Sequence, residues 1–525
     1  MTPPRVVLRG GNVVTGETVT RADLCVRAGR IDAVGEIAPE PGDDVVDCSG
    51  RYLLPGFVDA HAHVDGAIFD SSVQLALLRQ GITTAIVGQD GVSYAPGDGR
   101  YATEYFAAIN GPHPTYSGGG VGELLASYDG AVPVNLGYLV PASTVRNEVL
   151  GRAERPATPA ETERMADLVA TGMAEGALGL STGLDYVPGI FAPTHEIAAL
   201  CQPVARAGGV YVSHMRGGYE HNSREGTDEI VEIAKRADVP VHVSHFHAEP
   251  TIVLGLLQQM RTEGVDVTFD AYPYTRGCTL VAMAILPPEL VNRPVPEAER
   301  TLRDPAARAE LRRDWFPLVN ERPSLGPDWP AMILPGHVPH PDYAWAAGAT
   351  LEDAAEQAGA DVIDFTLDLL AACHLEVNAT MAVRYRRDTR DLAEIFADPG
   401  HQGGSDGIFI GSHLHPRAKG SFARYLKEFV IDNDHWTWPE AARRLSENPA
   451  RRFRLGERGR LEPGWIADIA VVAPDVADRA TYEQPERLAG GVDDVFVAGV
   501  AVLRAGGLTG RTPGAGLRRS GGGNR

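Results

Sequence analysis

The sequence predicts an α/β fold: a (β/α)8 TIM-type barrel with a small β-sandwich domain built from both chain termini and an inserted lid segment. Three observations predict it. Short apolar runs alternate with helical segments through the middle of the chain. Strand-like stretches with glycine punctuation fill roughly the first 50 residues and return only near the end. The last two of the apolar runs stand about 140 residues apart, too far for one crossover. A chain of 525 residues is long enough for a barrel and a second unit.

In chain order, strands are expected at Arg5–Leu8, Leu24–Val26, Arg30–Val34 and Asp44–Asp47, then at Ala467–Val472, Asp494–Ala498 and Val500–Leu503. Chain ends commonly lie close together, so residues 1–54 and 456–517 are expected to form one β domain around a barrel at 55–455. The barrel runs are Gly56–Ala60, Thr83–Val87, Val132–Leu136, Ala177–Leu180, Val210–Ser213, Val241–Ser244, Val265–Phe269 and Gly407–Ile410. Thr158-Pro-Ala-Glu161 has the spacing of a reciprocal N-terminal cap, with Pro159 in the first turn and Gly176 as the stop. A second helix is expected over Ser223–Ala237. An open doubly wound sheet would carry a glycine-rich phosphate turn after its first strand, but here that strand ends in His61-Ala-His63. Residues 276–348, rich in Pro and Trp and poorly periodic, read as the insertion or lid. The tail 518–525 has no apolar residue to bury and reads as disordered.

Composition narrows the function. With 44% hydrophobic and 22% charged residues, disorder and fibrous repeats are excluded. No run of about 18 apolar residues exists, so no membrane partner is expected. The formal net charge of -21 argues against nucleic acid, whose phosphates need clustered Lys and Arg. Met1-Thr-Pro-Pro-Arg5 leads into strand-like residues without an apolar signal core, and the 5 widely spaced cysteines fit reduced thiols. The expectation is a cytoplasmic protein acting on a small molecule.

The chemistry-bearing residues fall at strand ends. His61 and His63, at i and i+2, share a face. Two further runs end in Ser213-His214 and Ser244-His245, and the eighth carries Gly404-Ser-Asp406-Gly407. Histidines and a carboxylate meeting at one rim are the ligand set of a hydrolytic divalent metal. Gly179-Leu-Ser-Thr-Gly183 matches a nucleophile elbow, but Leu184-Asp-Tyr-Val-Pro188 does not open the helix that motif requires. His195-Glu196 lacks the second histidine of a zincin motif.

The ordered set Pro55-Gly-Phe-Val-Asp-Ala-His-Ala-His63, Gly81-Ile-Thr-Thr84, Gly176-Ala-Leu-Gly-Leu-Ser-Thr-Gly-Leu-Asp-Tyr186, Ser213-His-Met-Arg216, Asp270-Ala-Tyr-Pro-Tyr-Thr275, Gly404-Ser-Asp-Gly407, His415-Pro-Arg417 and Gly464-Trp-Ile-Ala-Asp468 resembles the amidohydrolase superfamily and, within it, the D-aminoacylase (N-acyl-D-amino-acid deacylase) family. The resemblance covers most of the chain. It implies hydrolysis of the amide bond of N-acyl-D-amino acids, or a related N-acylated amino acid or peptide, by a metal-activated water. Asp406 would act as general base and then acid, and His61, His63, Asp90, His214, His245 and Asp406 would hold one or two divalent ions. Tyr186, Arg216 and Tyr274 would contact substrate.

Two positions depart from the family. Gln89-Asp90-Gly91 stands where such deacylases have Asn-Cys-Gly, which puts Asp90 in the place of a thiolate ligand, sharing an ion with His214 and His245. Zn remains expected, while Mn, Fe and Ni gain ground with the harder ligand. Phe246-His247 stands where the family often has His-Lys, and His247 reads as a solvated or supporting histidine. The alternatives are a cyclic-amide hydrolase (hydantoinase- or dihydroorotase-like) or an isoaspartyl-type dipeptidase, marked by turnover of hydantoins or β-aspartyl peptides. A non-catalytic barrel serving as an interaction module would have lost its ligands, whereas all four histidines and Asp406 are present.

Overall fold

The computed structural model of the protein describes residues 5–384 and 387–519. The chain opens with β1 (Val6–Val14), β2 (Val19–Arg27), β3 (Arg30–Gly35), β4 (Asp44–Asp47) and β5 (Tyr52–Pro55). Barrel strands follow: β6 (Phe57–Asp59) and its bent continuation β7 (Ala62–His63), then β8 (Ile82–Val87), β9 (Asn135–Pro141), β10 (Gly179–Gly183), β11 (Val210–His214), β12 (Val241–Val243) and β13 (Val267–Ala271). Helices connect them. The helix Pro159–Ala174 starts where Thr158 Oγ1 accepts from Glu161 N at 3.3 Å and Glu161 Oε2 accepts from Thr158 N at 2.8 Å, the reciprocal cap read from the sequence. The helix Ser223–Ala237 turns Ile230, Ile233, Ala234 and Ala237 towards the core.

After β13 the chain leaves the barrel. β14 (Gly277–Leu280), β15 (Ile333–Pro335) and β16 (Asn378–Met381) form a small antiparallel sheet. It packs with its own apolar cluster, including Val281, Ile285, Leu302, Phe316, Leu370 and Ala379, separate from the barrel's. This excursion therefore runs on past Gly348.

β17 (His401–Gly403) and β18 (Gly407–Ile408) return the chain to the barrel, and β19 (Ile469–Ala477), β20 (Gly490–Val497), β21 (Val500–Arg504) and β22 (Gly507–Leu508) lead out of it. These last four join the N-terminal strands in one mixed sheet of order β22-β21-β20-β19-β5-β1-β2-β3, with β4 beside β1. The barrel order is β6-β8-β9-β10-β11-β12-β13-β17, all parallel. It is closed at the rim by Ala60 N donating to Gly403 O at 3.0 Å, by Asp406 N donating to His61 O at 2.8 Å, and by the parallel β7–β18 pair.

Three expectations need correction. The eighth stave is the buried polar stretch His401–Gly403, while Gly407–Ile408 pairs with β7; a strand without apolar side chains leaves no hydrophobic run to read. A final strand, β23 (Gly516–Leu517), pairs with β9 of the barrel rather than with the terminal sheet. Gly514 makes that approach sterically open, because a Cβ there would stand 2.4 Å from Val134 O. The tail is ordered at its start: Arg518 pairs with Asp129 at 3.0 Å and Arg519 N donates to Gly176 O at 3.0 Å. The remainder of that tail, 520–525, lies outside the described residues. Among the described residues no helix is long and apolar enough to cross a membrane.

Candidate active site

The bend between β6 and β7 delivers His61 and His63 to the rim. Asp59 fixes it: the buried carboxylate accepts from His61 N at 3.2 Å and Ser405 N at 2.8 Å, tying the first strand to the turn after β17. Burial pushes Asp59 up to about 7, against those hydrogen bonds. Asp406 stands in that turn at φ 48°. After β8, Gly88, Asp90 and Gly91 all adopt positive φ, a conformation Asp tolerates better than most residues. This turn lies against β10, where a Cβ on Gly183 would fall 2.2 Å from Asp90 O. Ser181 locks it, donating to Gly88 O and accepting from Gly91 N at 3.1 Å. The serine of the apparent nucleophile elbow thus clamps the Asp90 turn.

Six side chains converge, all buried: His61, His63, Asp90, His214, His245 and Asp406. Asp90 lies 3.7 Å from His61 Nε2, 3.6 Å from His63 Nε2, 3.8 Å from His245 Nε2 and 3.9 Å from His214 Nδ1. Asp406 Oδ1 lies 3.8 Å from His61 Nε2 and 3.4 Å from His63 Nε2. Two groups have the spacing for an ion, His61–Asp90–His245 and His61–His63–Asp406, with His61 common to both. Asp90 therefore stands beside His61 and His63 as well as the expected His214 and His245.

The donors fit a metal on three counts. His61 Nε2 and Asp90 Oδ1 are buried without a hydrogen-bond partner, a costly state for polar atoms facing each other. Their separations exceed hydrogen bonds but suit ligands roughly 2.0–2.2 Å from a shared ion. Imidazole with carboxylate suits zinc and its first-row neighbours. Electrostatics agree: burial opposes the ionised form of Asp90, yet the surrounding imidazoles hold its carboxyl well below the usual range. Burial disfavours protonated His63, but Asp406 and Asp90 push it up to about 10. So much mutual stabilisation of opposite charge marks a place where a cation is at home.

The far sides of the His61, His63 and His214 rings are also held, and His245 is held through its backbone. Asp270 Oδ2 lies 3.4 Å from His61 Nδ1 and 3.0 Å from His242 Nε2, while its Oδ1 accepts from His245 N at 2.9 Å. Asn110 Oδ1 lies 3.2 Å from His63 Nδ1, and Asp185 Oδ2 lies 3.3 Å from His214 Nε2. Such partners fix ring orientation and tautomer. Arg417, wholly buried, reaches within 2.8 Å of Asp406 Oδ2 and lies over the Tyr272 ring at 4.5 Å. Burial opposes the Asp406 carboxylate, but Arg417 and the imidazoles outweigh it and keep it ionised. Sequence reasoning assigned no role to these supporting residues. Asp185, Asp270 and Arg417 sat in the quoted motifs, whereas Asn110 and His242 carried no signal.

A cavity of about 440 Å³ stands over the cluster, with His63, Asp90, His214, His245 and Asp406 among its lining. Ile109, Ile190 and Ile408 wall it from the barrel, and Met283, Pro288 and Leu325 from the excursion. Tyr186 lines it, its hydroxyl 3.1 Å from Thr279 Oγ1, and so does His247, which stacks on Tyr219 at 5.0 Å. Arg216 and Tyr274 are engaged elsewhere, contrary to expectation. Arg216 pairs with Glu229 at 3.0 Å and donates to Ile190 O and Ala192 O, and the Tyr274 hydroxyl donates to Asp478 Oδ2 at 2.7 Å. Motif position places a residue near the rim without giving the direction of its side chain.

Residues 44–286 match the Amidohydrolase family. A D-aminoacylase of Alcaligenes xylosoxydans xylosoxydans is 30% identical over 537 aligned residues, covering 99% of this chain and 98% of its own. A solved D-aminoacylase, described for the functional role of its binuclear metal centre, superposes with a TM-score of 0.81 at 27% identity, covering 98% of this chain and 99% of its own. N-acyl-D-glutamate deacylase of Bordetella bronchiseptica, complexed with zinc and a phosphonate inhibitor, superposes with a TM-score of 0.80 at 29% identity and the same coverage of 98% and 99%.

Proposed function

The chain belongs to the amidohydrolase family and, within it, to the D-aminoacylase (N-acyl-D-amino-acid deacylase) family, and from that premise we propose that it hydrolyses N-acyl-D-amino acids to a carboxylate and a free D-amino acid. It is a metal-dependent amidohydrolase acting on amide C–N bonds. The substrate is the finer reading, and the relatives named above support it: one is a D-aminoacylase, another acts on N-acyl-D-glutamate.

His61, His63, Asp90, His214, His245 and Asp406 would hold the ions, zinc first among them, one or two in number. A divalent ion there supplies Lewis acidity, polarising the acyl carbonyl and making water more acidic. The chain's own residues do the rest. Asp406, kept ionised by Arg417, accepts the proton of the attacking water and returns it to the departing amine, so one carboxylate serves both steps. Asp59 and the Asp406 N–H to His61 O bond hold that carboxylate in line with the imidazoles. The substrate α-carboxylate is two bonds from the scissile nitrogen and must therefore bind beside Asp406. Arg417, with its Nε unpartnered, is the guanidinium at that range, rather than Arg216. Tyr186 and the isoleucines shape the wall, and the excursion over 277–381 acts as the cover that keeps bulk water out.

The observation that carries the reading is the meeting of the unpartnered His61 Nε2 and Asp90 Oδ1 beneath a largely apolar cavity. Metal analysis of the purified protein, joined to a screen of N-acyl D- and L-amino acids, hydantoins and β-aspartyl peptides, tests it. Bound zinc with turnover confined to N-acyl-D-amino acids is expected; turnover of hydantoins or β-aspartyl peptides alone would replace the reading.

A further inference from the structure

Beside the cavity over the metal ligands lies a second, of about 520 Å³. Ala382 and Val383 line both. The second is strongly cationic, with Arg276, Arg384 and Arg387 in its wall against one carboxylate, Asp328. Arg276 lies over the Tyr482 ring at 4.4 Å, and Arg384 is exposed. Arg387 differs. It is only 7% exposed, and none of Nε, Nη1 and Nη2 has a hydrogen-bond partner among the described residues. A guanidinium has five N–H donors and cannot shed its proton, so burial without a partner is costly unless an anion arrives.

Arg387 lines the second cavity, which meets the first at the wall shared through Ala382 and Val383. Its charge is felt by Glu220, His247 and Tyr272, and all three line the first cavity. Glu220 does not satisfy it: the buried Oε1 of Glu220 is itself unpartnered. Burial also pushes Glu220 up to about 7, so below that pH it is mainly the neutral acid and opposes an incoming anion little.

We propose that Arg387, in the wall of the second cavity, binds a second carboxylate of the substrate, distal to the scissile amide. This rests on the N-acyl-amino-acid reading above. The α-carboxylate belongs beside Asp406 and Arg417, and the group held by Arg387 lies on the second cavity's side of the shared wall, where the planar fork of the guanidinium suits bidentate recognition. The second carboxylate has two sources, an acidic side chain on the amino acid or a dicarboxylic acyl group. Arg276 and Arg384 supply positive potential around it without having to touch it.

The test compares kcat/KM of the zinc-loaded full chain for N-acetyl-D-leucine, N-acetyl-D-glutamate and N-succinyl-D-leucine in the wild type, Arg387→Met and Arg387→Lys. The expected result is a wild-type preference for one dianionic substrate over N-acetyl-D-leucine. Arg387→Met should cut that ratio about ten- to a hundredfold, mainly through KM, and Arg387→Lys should retain part of it. Whichever dianionic substrate is preferred names the source of the carboxylate. A ratio unchanged within about twofold in Arg387→Met would overturn the proposal, as would equal losses on all three substrates accompanied by a lower melting temperature. Calorimetric titration with succinate separates this inference from the reading beneath it. Should no N-acyl-amino acid be turned over, succinate bound by the wild type and not by Arg387→Met still supports the subsite, and equal binding by both rejects it.

Discussion

The floor of the main cavity and its roof are built from opposite materials. On the floor, buried ionisable groups crowd within 3.4–3.9 Å of one another, and His61, His63 and His214 are each held from behind by Asp270, Asn110 or Asp185. In the roof, Met283, Pro288 and Leu325 present apolar surface from helical and loop segments of an excursion that has a core of its own. The difference teaches where each task resides. A floor whose imidazoles are held from behind is preorganised for one chemistry, whereas a roof tied to the barrel at its ends can change shape and selectivity without disturbing that chemistry.

If this division is right, the largest effects come from the floor. Asp90→Ala removes the carboxylate standing among all four imidazoles and is expected to abolish metal binding and activity together. Asp406→Asn should keep most of the metal and lose about 10²–10⁴ in kcat. Metal content by mass spectrometry beside single-substrate kinetics checks both. Activity within tenfold in Asp406→Asn would remove it from proton transfer.

Next comes pH. His63 is raised to about 10 in the metal-free protein by Asp406 and Asp90, working against burial. The unfolded chain binds that proton with a pKa of about 6.5. A raised histidine contributes stability that is fully present below about 6.5 and is lost as pH rises through about 10. The apo-protein should therefore become less stable across that window, by at most roughly 1.4 kcal/mol per pH unit. Zinc-loaded protein should not follow, because metal binding displaces the proton. Parallel thermal melts of apo and loaded protein decide it; parallel curves would mean that His63 is not at the ion.

A smaller loss is expected one layer back. Asp270→Asn leaves the volume unchanged but withdraws the charge lying between His61 and His242. Partners of this kind are worth about 10–100-fold in metal affinity or activity. Competition with a zinc chelator measures it. An unchanged affinity would mean that the floor does not depend on the groups behind its histidines.

The same contrast explains how much was legible in the sequence. The histidines proposed as ligands follow a local code at strand ends, with His61 and His63 two apart and His214 and His245 each closing a β-branched run, so period and position brought them to one rim. Asp90 stood out because it replaced an expected cysteine. What failed depended on direction or on long-range contact. Arg216 lies beside a ligand yet turns to Glu229, and Asn110 meets His63 from a loop with no pattern of its own. His401–Gly403 forms a stave by hydrogen bonding rather than hydrophobicity, so the eighth strand was sought a few residues too late. The third strand of the excursion, β16, lies about 100 residues from the first, β14, and no local signal joins them.

The smallest effect expected is in the roof. Met283 is half-buried, lines the cavity and belongs to neither candidate metal-binding group. Met283→Ala enlarges the space above the floor without altering charge, and a methylene's worth of apolar contact discriminates by about 10–200-fold at most. The expected outcome is a change of roughly tenfold in the ratio of kcat/KM for N-acetyl-D-phenylalanine to that for N-acetyl-D-alanine, in favour of the larger side chain, with metal content unaltered. A cavity that accommodates the acyl group at Met283 instead would keep that ratio constant and shift the preference among acetyl, butyryl and hexanoyl substrates. Metal lost along with specificity would show that roof and floor are a single cooperative unit, and the division of labour between them would fall.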